Sequence, residues 1–377
     1  MKTNVYIVKC ASYDKAGEKI EELISLMGGM GQFAKPGEKI TLKPNLLFAA
    51  SPEQAVTTHP SIVAAIGAMA KKEGAIPIIA DSPGSGYRYN KATLKKLYQA
   101  SGMNDAAELA GIALNMDTGH DRVAFPQGKE MKNIDVIKPV SQADAVFNLC
   151  KMKTHMLMHM TGAVKNNFGI IPGLTKIGFH AKQFTKARFA DMLLDLTLYV
   201  SPRLSIMDAV VAMEGEGPGA SGTPRQVGLL LASASPLALD VVAGEIMGLP
   251  REQNPVVIAA EKRGLTPCGI DDIHIVGEEL SSLRISDYQF TSTVKIIRPV
   301  AGNTAVAGAE IHPAPEQYPV MLNEKCAGCG VCVNACPQKA IALSAEQEKQ
   351  IAVIDIKNCI RCYCCHELCP HEAIMIQ

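Results

Sequence analysis

The chain has 377 residues, 47% apolar and 20% charged, with 37 basic side chains against 37 acidic ones and no formal net charge. That length accommodates one large domain and a small one, and the neutral balance argues against a general nucleic-acid or membrane-surface binder, so any charged site has to be local. No stretch reads as disordered, Pro236, Asp240 and Glu245 break the most apolar segment short of a membrane span, and the N-terminus enters a strand pattern without a signal core, which points to the cytoplasm.

Short β-branched runs at 4–9, 40–42, 76–80, 145–149, 204–207 and 227–231 alternate with helical patterns at 15–27, 60–72, 91–100, 188–199 and 236–247. The last of these has Ser235 as N-cap, Pro236 at the first helical position, and Gly248 and Pro250 past its end. Strands spaced by helices predict an α/β domain with a mostly parallel sheet flanked by helices, over residues 1–310. Several strands end in polar clusters: Lys43-Pro44-Asn45, Asp81-Ser82-Pro83-Gly84, Lys151 through His155, and Asp208. Open parallel sheets bind ligands at the carboxyl ends of their strands. If these strands are neighbours, Lys43, Asn45, Asp81, Lys153, His155 and Asp208 surround one crevice; the plainer alternative is that polar residues simply mark strand ends.

Lys151, Lys153 and Lys165 lie with His155 and His159 within fifteen residues of sequence. Such a set of donors suits a small anionic substrate, through a carboxylate, a phosphate or a flavin's phosphate tail, and the grounds for a flavin end there. Lys43, Lys153 and Lys165 are the candidates for holding the anion, His155 for delivering a proton, and Asp81 and Asp208 for orienting the substrate. On a helix, His155 and His159 would share a face and could hold a metal, but no carboxylate or cysteine in that segment completes such a site.

Gly217-Pro218-Gly219-Ala220-Ser221-Gly222 fits G-x-G-x-x-G, yet Thr223-Pro224 and a strand pattern follow it where a dinucleotide fingerprint needs a helix. Residues 214–224 therefore read as a loop near the site, a lid in form. Cys10, Cys150 and Cys268 read as core thiols, with Cys150 beside Lys151 the one to examine for a lowered pKa. Residues 298–303 and 311–316, rich in Pro and Gly, mark a domain join near 310–320.

The motifs Lys43-Pro44-Asn45, Thr58-His59-Pro60, Asp81-Ser82-Pro83-Gly84, Lys153-Thr154-His155 and Gly162 through Gly169 resemble the domain-of-unknown-function family 362 (DUF362). The resemblance covers about residues 5–249, supports a layout and a site more than a reaction, and implies Asn45, His59, Asn166 and Asn167 as further binding residues. Proteins of that family often carry a C-terminal double-cluster module.

Such a module follows at 318–377. Two copies of C-x2-C-x2-C-x3-C-P occur there, Cys326/Cys329/Cys332/Cys336 and Cys359/Cys362/Cys365/Cys369, related by a shift of 33 residues. This is the bacterial ferredoxin run, predicting a small α+β domain with two [4Fe–4S] clusters. In such proteins the fourth cysteine of each run ligates the other cluster. The expected sets are Cys326, Cys329, Cys332 and Cys369, and Cys359, Cys362, Cys365 and Cys336. Paired zinc knuckles fit this spacing less well, because zinc sites favour two C-x2-C pairs separated by a longer loop. Cys364 has Val331 as its counterpart in the first run and reads as a spare thiol.

The expectation for function is an iron–sulfur oxidoreductase, taking electrons from an external donor or acceptor protein to an anionic group in the large domain, in an anaerobic or facultative host. The alternatives are a non-catalytic electron carrier or maturation factor that docks a partner enzyme, and clusters that serve as structural staples or oxygen sensors.

Overall fold

The computed structural model describes residues 2–183, 185–296, 317–346 and 349–377. The expected proline-rich join at 298–303 and 311–316 lies outside the described residues.

Strands β1 (Thr3–Lys9), β2 (Lys39–Lys43), β3 (Ile76–Ile79), β4 (Ala113–Leu114), β5 (His120–Ala124), β6 (Asn133–Ile137), β7 (Ala145–His155), β8 (His159–Thr161), β9 (Leu204–Gly215), β10 (Gly222–Ser233) and β11 (Ile273–Gly277) build the large domain. Its nine-stranded sheet has the order β11-β1-β10-β9-β7-β2-β3-β4, with β8 paired to β7, while β5 and β6 form a separate hairpin. Pairings are parallel from β9 through β4 and between β1 and β11, and antiparallel on both sides of β10. The four strands that carry the polar clusters, β9, β7, β2 and β3, are consecutive neighbours.

Side-chain alternation splits the core in two. Leu42, Phe147, Leu149 and Leu230 face helices Ala16–Leu26, Pro60–Lys72, Lys91–Ala100 and Met103–Ala110. Val146, Cys150, Met207 and Leu231 face helices Lys186–Val200, Pro236–Met247 and Pro255–Lys262. The helix at Pro236–Met247 forms with the expected punctuation: Ser235 Oγ accepts from Ala238 N, and Gly248 ends it in the left-handed region.

Two expectations about strand ends change. β7 does not stop at residue 149 but continues to His155, and β9 continues past Asp208 to Gly215. Lys151, Lys153 and Asp208 are thus buried strand residues, Lys151 and Asp208 paired with each other and Lys153 kept in the ladder by neutral oxygens that accept from its ammonium, with a register shift between Lys151 and Lys153. The expected loop at 214–224 is shorter too, since Gly222, Thr223 and Pro224 already pair with β9.

The C-terminal module comprises β12 (Pro319–Met321) paired antiparallel with β15 (Ile374–Ile376), β13 (Ile341–Glu346) paired antiparallel with β14 (Lys349–Ile354), and short helices Val331–Ala335 and Cys364–Glu367. It sits on the strand-end side of the large domain, where Ala335, Cys364 and Leu368 form one apolar cluster with Phe48, Ala50, Val56 and Met213. Gly219 lies directly against it: a Cβ there would overlap the Glu367 carbonyl oxygen, so only glycine lets the loop after β9 lie against the module.

Candidate functional site

Cys326, Cys329, Cys332 and Cys369 line one cavity of the module, together with Gly328 and Gly330 in left-handed backbone conformations. The fourth cysteine of the second run thus joins three of the first. Burial, followed by the nearby Cys329, Cys369 and Cys326, pushes the Cys332 thiol up to about 12. Cys359 is likewise raised by burial and then by Cys362 and Cys336, so the fourth cysteine of the first run lies beside the second. Backbone amides donate to sulfur at repeat-equivalent positions, Ala340 N to Cys336 Sγ at 3.1 Å and Ala373 N to Cys369 Sγ at 3.3 Å. Crowded thiols that disfavour one another's ionisation, with amides aimed at their sulfurs, fit a cationic iron core with thiolate ligands. Cys329 is exposed, whereas Cys365 is buried.

In the large domain the polar residues divide into two groups. The first centres on Asp208, whose Oδ1 accepts from the Tyr13 hydroxyl (2.9 Å) and Val210 N (3.2 Å), and whose Oδ2 accepts from Lys151 Nζ (2.8 Å) and His59 N (2.9 Å). Lys151 also donates to the Tyr13 oxygen at 2.8 Å. Tyr13 stacks on His59 with ring centroids 3.5 Å apart, and His59 Nδ1 caps the helix that begins at Pro60 by accepting from Ser61 N. Burial pushes His59 down to about 4.

The second group surrounds a cavity between the two domains, whose lining includes Asn45, Asp81, Ser85, Lys165, Lys176, His180 and Glu367. Asp81 is ion-paired to Lys43 at 2.7 Å and also accepts from Leu46 N. Lys153 is buried beneath, donating to Asn45 Oδ1 (2.8 Å), Val56 O (2.7 Å) and Pro218 O (3.3 Å). Asn166 ties the floor, donating to Asn148 Oδ1 and accepting from Asn45 Nδ2. Asn167 turns away, donating to Thr197 Oγ1.

His155 joins the domains. Its Nδ1 accepts from Leu157 N and Met158 N, so the neutral ring carries its proton on Nε2, which lies 3.2 Å from Glu367 Oε1. Both of these atoms lack a well-aligned hydrogen bond among the described residues. Burial holds His155 well below its ordinary pKa, with Lys165 and His180 adding to the effect. It is therefore a neutral N–H donor near pH 7, where the sequence suggested a group titrating close to neutrality. Burial raises Glu367 to about 7, opposed by Lys165 and Lys153.

His155 and His159 face each other across the β7–β8 hairpin and do not share a helix. Their rings diverge, since His159 bonds Gln253 O (2.6 Å) and Lys186 Nζ (2.9 Å), so no metal pair forms. Cys150 is buried with its pKa raised well above the ordinary value by burial, the reverse of an activated thiol.

The cavity thus gathers Asn45, Asp81, Lys165 and Asn166 of the sequence candidates, with Lys43, Lys153 and His155 immediately behind, and leaves His59, Asp208 and Asn167 elsewhere. Sequence reasoning missed Lys176, His180 and Glu367. Lys176 and His180, four apart on helix Thr175–Lys182, are the signal that was available.

The chain matches the family model described as Domain of unknown function (DUF362) over residues 40–245, more than half its length. The chain belongs to the DUF362 family. Residues 325–373 of this DUF362 protein match the 4Fe-4S dicluster domain, which makes it an iron–sulfur protein of the electron-carrier type. It is 35% identical over 277 residues to the thylakoid-associated protein sll1697 of Synechocystis, spanning 71% of this chain and 81% of that one. Among solved structures it is similar to the lactate racemase apoprotein from Thermoanaerobacterium thermosaccharolyticum (TM-score 0.39, 11% identity, covering 66% of this chain and 58% of that one). A Thermotoga maritima protein is also similar (TM-score 0.34, 10% identity, covering 58% of this chain and 55% of that one). The chain spans less than two thirds of either of these structures. Among the described residues no helix is long and apolar enough to cross a membrane.

Proposed function

We propose that this protein is a cytoplasmic oxidoreductase in which two [4Fe–4S] clusters connect an external redox protein to a small anionic acceptor in the interdomain cavity. Cys326, Cys329, Cys332 and Cys369 hold one cluster, and Cys359, Cys362, Cys365 and Cys336 the other. Such clusters supply one-electron exchange at potentials that the surrounding protein sets.

The observation that carries the reading is the shared wall of the cavity. Glu367 lies two residues from both Cys365 and Cys369, lines the cavity, and approaches His155 Nε2 to 3.2 Å. Lys165 brings positive charge to the same space, and the His155 N–H backs Glu367 from behind the lining. The exposed Cys329 loop is the face for the external partner, which is oxidised as the bound acceptor is reduced. That open face also favours a second reading, a carrier that docks a partner enzyme and does no chemistry itself.

The test is made on protein purified without oxygen. About eight irons and eight sulfides per chain are expected, and dithionite-reduced protein should be reoxidised by a small anionic acceptor at a rate that His155→Ala and Glu367→Gln lower without loss of iron. Iron below about four per chain would sink the two-cluster assignment. Reoxidation that needs a partner protein and ignores both substitutions would leave only the carrier.

A further inference from the structure

The cavity lining says more about its ligand than that it is an anion. Lys176 spends its donors inside the fold, on Ser82 Oγ (2.8 Å), Pro83 O (2.7 Å) and Ser82 O (3.4 Å), and so contributes charge but no free N–H. Lys165 has no hydrogen bond or ion pair among the described residues, and its ammonium lies 5.4 Å from the Phe168 ring centroid. The Ser85 hydroxyl, on a buried residue, is likewise unpartnered among the described residues. His180 is 5% exposed and lines the cavity with its Nδ1 unpartnered. Buried polar groups in native folds normally have partners, so the unpartnered His180 Nδ1, with the free Lys165 ammonium and Ser85 hydroxyl on the same space, points to a ligand there.

Charge and shape narrow the class. Asp81 is neutralised by Lys43, which leaves Lys165 and Lys176, with Lys153 behind them, against Glu367, so the site is positive. Of these lysines Lys165 keeps its ammonium donors free, since Lys153 and Lys176 spend theirs inside the fold. Leu47, Phe168 and Leu368 supply an apolar wall. Inorganic phosphate is polar on every side and would have no use for that wall, whereas a carboxylate on a hydrocarbon matches one free ammonium and the apolar surface together.

On the reading of this cavity as the electron-receiving site, we infer that its ligand is a small organic monocarboxylate, with the carboxylate at Lys165 and Ser85 and the hydrocarbon part against Leu47, Phe168 and Leu368. His180 faces the rest of the ligand and selects for a polar substituent on it.

The experiment is calorimetric titration of the oxidised, cluster-loaded protein with propionate and, separately, inorganic phosphate. Saturable propionate binding is expected, tighter than that of phosphate. Lys165→Gln should weaken it about 10- to 100-fold, the range for a hydrogen bond to a charged group, and Ser85→Ala about 2- to 10-fold. Absent propionate binding, preferential phosphate binding, or unchanged affinity in Lys165→Gln each overturns the assignment. Should Lys165→Gln lose iron, Ser85→Ala decides alone, and unchanged affinity there overturns it. No electron donor is present, so the result is independent of the reoxidation assay: binding without reoxidation refutes the redox reading and leaves the site, and reoxidation without binding does the reverse.

Discussion

The Asp208 network and the interdomain cavity are made of the same kinds of residue, a buried lysine, a histidine and a carboxylate each, at the same end of the same sheet. They differ in partners. Around Asp208 each carboxylate oxygen accepts two hydrogen bonds, and Lys151 and the Tyr13 hydroxyl are bonded to each other and to it. Around the cavity, Lys165, His155 Nε2, His180 Nδ1 and Glu367 Oε1 lack aligned partners among the described residues. A closed network strengthens the fold and has nothing left for a ligand, whereas an open one weakens the fold and keeps its donors for something that arrives.

Breaking the closed network should have the largest effect. Asp208→Ala strands a buried ammonium and should cost about 3–5 kcal/mol, read as a lower urea midpoint, while iron content and propionate affinity stay unchanged. A loss under about 1 kcal/mol would mean that this network is not the scaffold described above. Next is the seam between the regions. Gly219→Ala forces a Cβ against the Glu367 carbonyl and should cost about 1–3 kcal/mol, appearing as faster amide hydrogen exchange over Cys364–Glu367.

Histidines compare the two regions directly. Burial depresses His59 to about 4 and His180 to about 3. Both are neutral in the fold and take up protons near 6.5 once unfolded, so their stabilising contribution is complete above pH 6.5 and is lost as pH falls toward the folded values. Going from pH 7 to 6 should cost about 0.7 kcal/mol for each such residue. His59→Gln and His180→Gln should each reduce that slope in urea titrations, and an identical slope in both would show that neither histidine is held neutral. The smallest effect belongs to the open group. Lys165→Met removes an unpaired, partly buried charge and should leave stability unchanged or raise it by up to about 1 kcal/mol, while propionate binding is lost. Marked destabilisation would place Lys165 with the scaffold.

The fold class was legible because strand and helix periodicity alternate cleanly, and the helices Pro60–Lys72, Lys91–Ala100 and Pro236–Met247 have the bounds their caps and apolar spacing predict. Strand ends were less so. Lys151, Lys153 and Asp208 look like the ends of strands because charge seldom sits in a buried ladder, and only their partners from distant segments allow it. For the same reason the sequence grouped Asp208 with Lys153, although Asp208 is committed to Tyr13 and His59. The cavity was half visible. Lys165 and Asn166 belong to a dense motif, but Lys176 and His180 come from a helix with no such motif around it, and Glu367 comes from the other domain. Nothing local marks Glu367 as part of a site, since its role depends on how the module is seated.

The outermost strands carry a practical consequence. β1 pairs in parallel with β11 and antiparallel with β10, and both β1 and β11 lie outside the 40–245 segment that matches the family model. A chain cut to that segment would bare the part of β10 that β1 covers, with Leu229, Leu230, Leu231 and Ala232 on an unpaired edge, a template for adding strands from other molecules. The segment that identifies the family is therefore not the segment that folds by itself. Soluble material calls for the residues before and after it, which close the sheet on its far side.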